Sequence, residues 1–139
     1  MNELRFDTGL VSYSINGAAE VSFNPTDISF IQRTFKTFDL LEEKQQEYDE
    51  ARGKISSNRE FFDFGQKKDA EMREVIDDAF GKPVCEDLFG KMNVYAFAGG
   101  LPVWCNLIFA IIDLFDESVT AETAKTNPRL NKYLKKYHK

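Results

Sequence analysis

Asn24-Pro25-Thr26-Asp27 opens a stretch of helical pattern that meets no breaker until Gly53. Asn24 suits an N-cap, Pro25 the first helical position, and Asp27 the positive end of a helix. Ile28, Ile31, Phe35 and Phe38 follow at spacings of 3, 4 and 3, and Leu41 continues the stripe. Beyond Leu41 the stripe fades, and Glu42 to Arg52 keeps only Tyr48 and Ala51. A helix over 25–52 would run roughly 40 Å at ~1.5 Å per residue. Its outer half is expected to leave the core, either into solvent or towards a partner.

Gly53 to Asn58 breaks that rod. Asn58 suits the cap of a second helix, which runs to Phe80 and ends at Gly81, with Pro83 beyond. Its apolar residues are Phe61, Phe62, Phe64, Met72, Val75, Ile76, Ala79 and Phe80, and its middle, Gln66 to Glu71, is polar. Two long helices joined by a short polar turn predict an antiparallel hairpin, closed within one chain or swapped between chains, with the polar stretches at its tip. Pro83 then opens a short helix over Val84–Phe89. A connection containing Gly90, Gly99 and Gly100 leads to Pro102 and the most apolar helix: Val103, Trp104, Leu107, Ile108, Ile111, Ile112, Leu114 and Phe115. Apolar around most of its circumference, this helix reads as the centre of the core. Asp116 to Thr126 reads as a linker. Asn127-Pro128 starts a last helix with Leu130, Tyr133, Leu134 and Tyr137 as its stripe and lysines between them.

The first 24 residues read as β. Val11 to Ile15 and Ala19 to Phe23 alternate, and Asn16-Gly17 between them is a hairpin signal. A two-residue loop would set Tyr13 against Glu20. Shifting by one residue sets Ile15 against Ala19, Tyr13 against Val21 and Val11 against Phe23, which makes one apolar face and predicts a three-residue loop with a bulge. Leu4-Arg5-Phe6 is a candidate third strand. The whole is α+β, mainly α, in one domain: a β-hairpin region (1–24), a helical hairpin (25–81), core helices (83–117), a linker (118–127) and a basic C-terminal helix (128–139). At 139 residues the chain is long enough for its own core.

Charge is divided unevenly. Residues 1–126 hold 13 basic and 23 acidic side chains, a net −10, whereas 127–139 hold five basic and no acidic ones. An acidic body with a basic tail can bind itself head to tail or meet an acidic partner. It does not fit a nucleic-acid-binding domain, whose body would be basic.

The chain has a single histidine, His138, next to the last residue, which leaves Ser/His/Asp and Cys/His chemistry dependent on a fraying terminus. Cys85 and Cys105 lack partners at metal-ligand spacing and read as free, buried thiols. Asp77 with Asp78, and Asp113 with Asp116 and Glu117, read as solvated faces rather than metal ligands. Asp113, among apolar neighbours, is expected to be buried against Lys82 or Lys91. No cofactor, metal or catalytic residue is expected. The opening Met1-Asn2-Glu3-Leu4-Arg5 has no apolar signal region, so a cytoplasmic location is expected. Val94 to Phe115 is interrupted by Gly99-Gly100-Leu101-Pro102, so it does not read as a membrane span.

Phe61, Phe62 and Phe64 cannot share one helix face. Either one of them is exposed as an interface or the strand layer covers all three. The expected partner-binding residues are these three, Tyr48 on the outer half of the first rod, and Leu130, Tyr133, Leu134 and Tyr137 on the tail.

Leu88-Phe89-Gly90-Lys91-Met92-Asn93, then Gly99-Gly100-Leu101-Pro102-Val103-Trp104 and the apolar run to Asp113, carry a resemblance. So does Val21-Ser22-Phe23-Asn24-Pro25-Thr26-Asp27 leading into a Phe-rich helix. Over about 25–115 the chain resembles small proteins encoded in the tail-morphogenesis regions of prophages of Gram-positive bacteria, some of which act as tail assembly chaperones. The resemblance implies a helical, non-enzymatic protein that binds other tail proteins; as a chaperone it would coat apolar stretches of a tail protein such as the tape measure, and homo-oligomers are expected of it. It carries no residue-level site. A structural virion component, a tail or connector subunit, is the alternative. Docking of the basic tail on an anionic membrane surface is a third and weaker expectation.

Overall fold

The computed structural model describes residues 1–125 and 127–137, without the side chains of Asn131 and Leu134 to Tyr137. His138 therefore lies outside the described residues, as do the side chains of Leu134 and Tyr137. The elements in order are β1 (Val11–Ile15), β2 (Ala19–Phe23), α1 (Ile28–Lys54), α2 (Asn58–Phe80), α3 (Cys85–Phe89), β3 (Phe97–Ala98), β4 (Leu101–Pro102), α4 (Val103–Ala124) and α5 (Pro128–Tyr137).

Strands β1 and β2 pair antiparallel in the shifted register, Val11 with Phe23, Tyr13 with Val21 and Ile15 with Ala19. Asn16 and Gly17 both take positive φ, and Ala18 N–H donates to Ile15 O at 2.9 Å. The primed turn supplies the twist, and the extra residue sets the apolar face. That face joins the helices through stacked rings. Tyr13 lies on Phe23 (4.7 Å between centroids) and Phe23 on Phe30 (4.3 Å), while Phe30 meets Phe115 edge-on (6.0 Å). Leu4-Arg5-Phe6 adds no strand. Gly9 N–H donates to Asp7 Oδ1, and Asn24 Nδ2 ties Thr8 O, so the chain turns at Gly9 and residues 4–6 leave the hairpin edge exposed.

Asn24 does not cap α1. Its Oδ1 accepts from Thr26 N–H in a local turn, and Asp27 is the N-cap, accepting from Ser29 N–H at 3.0 Å. The stripe read from spacing is also corrected. Ile28 is 74 % and Phe35 48 % exposed, whereas Phe30, Thr34, Thr37, Leu41, Gln45, Tyr48 and Ala51 are buried. Polar side chains are tolerated there because each is satisfied: Thr34 donates to Phe30 O and Thr37 to Arg33 O. Gln45 Oε1 accepts from Trp104 Nε1–H at 2.9 Å. The outer half of α1 therefore stays in the core rather than leaving it, because α2 and the loop before β3 cover it.

Helix α2 returns antiparallel to α1, as contacts of Tyr48 with Phe61, Glu47 with Lys68 and Lys44 with Glu71 show. Ser57, not Asn58, caps it, accepting from Glu60 N–H at 3.4 Å, and Gly81 ends it. Its polar middle hides a buried lysine. Lys68 pairs with Glu47, with Glu71 at 3.0 Å, and with the Phe64 ring at 5.3 Å. Burial, the largest single influence, pulls the ammonium pKa down, but the two glutamates together outweigh it and hold it above the ordinary value. Glu71 is held below its ordinary value, first by the Lys68 hydrogen bond. A carboxylate with a lowered folded pKa adds stability above its unfolded value, near 4.5, and that stability is lost as pH falls through the folded pKa. The urea midpoint is thus expected to fall as pH drops below 4.5, and Lys68→Met is expected to flatten that part of the profile. Superimposable profiles for the two proteins would refute it.

Asp77 Oδ1 accepts from Val84 and Cys85 N–H, which caps α3 from α2. β3 and β4 form a tiny hairpin through Gly99-Gly100, both at positive φ. Helix α4 packs Trp104, Cys105, Ile108, Ile111 and Phe115 inward, but Phe109 stays partly exposed, so the helix is one-sided rather than buried all round. It also runs on through 116–124, the stretch whose composition reads as a linker. Asp113 is exposed rather than buried, and Lys82 instead donates to Glu20 O, clamping the hairpin to the end of α2. No helix among the described residues is long and apolar enough to cross a membrane.

Candidate interaction site

Asp69 and Arg73, one turn apart on α2, staple the loop between α3 and β3 to that helix. Asp69 Oδ1 accepts from Val94 N–H at 2.7 Å, and its Oδ2 from Arg73 Nε–H at 2.9 Å. Arg73 Nη2 donates to Gly90 O at 2.8 Å and Met92 O at 2.7 Å. The far side of the loop caps α4. Val103 N–H donates to Ala96 O and Trp104 N–H to Val94 O. This double anchorage holds Tyr95 over the helical hairpin.

Tyr95 stacks on Tyr48 with centroids 4.0 Å apart, Tyr48 packs on Phe61 at 5.4 Å, and Phe61 on Phe62 at 6.4 Å. Gly65 is the close-approach point, where an added Cβ would lie 2.6 Å from Tyr95 Oη. An isolated glycine inside a helical pattern commonly has such a packing reason. A cleft of about 410 Å³ opens beside these rings, rimmed by Gln66, Lys91 and Asn93. Asn93 Oδ1 is buried and meets no donor among the described residues. The cleft thus offers ring faces and a cation at the rim, with the buried Asn93 acceptor behind them. This suits an apolar or aromatic side chain.

The expected partner residues separate into three groups. Phe61 and Phe62 line the cleft, Phe61 half-buried and Phe62 64 % exposed at the rim. Tyr48 is corrected from a projecting contact to the buried floor of the cleft, because Tyr95 covers it. Phe64 points elsewhere, under Lys68. On α5, Leu130 and Tyr133 are 61 % and 43 % exposed and do not join the cleft. Tyr95, Asn93, Asp69 and Gly65 were not singled out as site residues. Gly65 alone carries a local signal, an isolated glycine inside a helical pattern, since the other three acquire a role only when the loop folds onto α2.

Burial, reinforced by Asp77, pushes the Cys85 thiol pKa far up, and burial also raises that of Cys105, so both stay protonated. Burial, with the neighbouring Tyr48 and Asp69, lifts Tyr95 to about 12. Among the described residues no group of three or more His, Cys, Asp or Glu side chains could hold a metal. No family model, curated protein or solved structure matches the chain.

Proposed function

We propose that the protein acts by binding, without bond-making, as an assembly protein of the phage-tail kind. In this reading the cleft under Tyr95 receives an apolar side chain from a helical segment of a tail protein such as the tape measure. The observation that carries it is the cleft itself: a rigidly anchored ring stack with Phe62 held out at its edge. Exposed aromatic anchors beside a preformed pocket commonly dominate interface energetics. The sequence resemblance over 25–115 favours the tail setting, and chaperone is preferred to virion component because one cleft suits transient capture.

Phe62→Asp is expected to weaken binding to tape-measure helical peptides at least tenfold, about 1.4 kcal/mol, with thermal stability unchanged because the residue lies at the rim. Calorimetric titration of the purified chain checks this. Undiminished affinity in Phe62→Asp, or no binding by the native chain, would overturn the reading. Mass spectrometry of purified particles separates a chaperone, which is absent, from a structural subunit, which is present.

A further inference from the structure

We propose that the protein self-associates head to tail, the basic helix α5 of one copy lying along the α1/α4 seam of a second copy. The seam forms where α1 and α4 run antiparallel, Phe38 packing on Trp104 at 5.5 Å and on Phe109 at 5.6 Å. Its outer rim is apolar and unpartnered: Ile28 and Phe35 on α1, and Phe109, 39 % exposed, on α4. Exposed acids continue the same helical lines, four and seven residues on. They are Asp39 and Glu42 after Phe35, and Asp113 and Asp116 after Phe109. None of the four forms an ion pair among the described residues.

Basic groups of α1 up to Lys44 are directed away from this face. Helix α4 contains none. On α1, Arg33 and Lys36 line the opposite flank with Val75 and Asp78 of α2, and Lys44 faces Glu71. The seam is therefore an apolar strip with a purely acidic border. Residues 127–139 have the complementary composition, five basic side chains, no acid, and an apolar stripe at helical spacing. Leu130 and Tyr133 of α5 are exposed, so these two residues of the stripe are not buried in their own chain. Two unpartnered apolar faces of opposite charge on one molecule make a heterologous contact, which closes into a ring or propagates as a filament. A helix of ten residues covers less than the ~800 Å² per partner of a standard interface. The contact is consequently weak, reversible and salt-sensitive.

Sedimentation of the full chain over a concentration series tests it. The average mass is expected to rise with concentration at low salt, and raising the salt to about 1 M is expected to weaken association at least tenfold. Asp113→Lys with Asp116→Lys removes the acceptor, and Arg129→Glu with Lys132→Glu removes the donor. All four positions are solvent-exposed, so both variants keep the fold. Each alone is expected to lose association at least tenfold, whereas the two mixed are expected to form a one-to-one dimer through their intact halves. Phe62→Asp is expected to associate like the native chain, which separates this proposal from the cleft. A monomer at every concentration in low salt overturns it, and that outcome includes α5 folding back on its own seam. So does association indifferent to both charge reversals, or vesicle binding by α5 without self-association.

Discussion

Trp104→Ala is expected to lower unfolding free energy by about 3–5 kcal/mol, as removal of a large buried aromatic does. Against total stabilities of about 5–15 kcal/mol, that leaves a marginal protein. Trp104 joins three parts of the fold. Its ring meets Phe38 of α1, its Nε1–H donates to Gln45 at 2.9 Å, and its backbone N–H holds Val94 O at 3.1 Å. Trp104→Phe separates the contributions. It keeps an aromatic ring but leaves Gln45 Oε1 buried without its donor, an expected loss of about 1–3 kcal/mol. Gln45→Leu in the Trp104→Phe background removes the orphaned acceptor and is expected to recover part of that loss. Urea unfolding followed by circular dichroism measures all three. A loss below about 1 kcal/mol for Trp104→Ala would show that the α1–α4 contact is peripheral.

Gly65→Ala is the second large effect, and its sign is informative. Alanine in a helix interior is ordinarily favoured over glycine by about 1 kcal/mol. Here the new methyl would sit 2.6 Å from Tyr95 Oη and 3.7 Å from the Tyr48 ring. Tyr95 cannot retreat cheaply, because its ring is stacked on Tyr48 and its loop is pinned by Asp69 and Arg73. The expected result is a destabilisation of about 1–3 kcal/mol, typical of overpacking. Peptide binding at the cleft should fall as its floor shifts. Tyr95→Phe removes the colliding oxygen and is expected to restore most of the stability in the double variant. Thermal melts of the two single variants and the double suffice, and a stabilised Gly65→Ala would show that the loop yields.

Both predictions involve pairings that the linear pattern does not show. Spacing located the two long helices and the strand register, since Asn16-Gly17, the break from Gly53 to Asn58 and Gly81 are local signals with local causes. Spacing misjudged which face of α1 is buried. It counted Ile28 and Phe35 as core and ignored Thr34, Thr37 and Gln45, whose polar atoms are satisfied by α1 carbonyls and Trp104. Lys68 is indistinguishable within its polar stretch because its two glutamate partners lie 21 residues before and three residues after it. At the cleft, the phenylalanine cluster was legible as a place of surplus apolar surface. Which ring would be exposed was not, because Tyr95 approaches from a loop some thirty residues away.

Local chemistry alone determined the helices, their breaks, the β-hairpin and its pairing, and the division into an acidic body and a basic tail. Each of these depends on backbone preference, side-chain periodicity or charge, all properties of neighbouring residues. Tertiary structure decided the rest: that the outer half of α1 stays in the core, and that Tyr48 is covered while Phe62 is not. These outcomes depend on what packs opposite. A half-apolar helix can turn either flank inward, and only the position of α2, α4 and the stapled loop selects which flank loses its water.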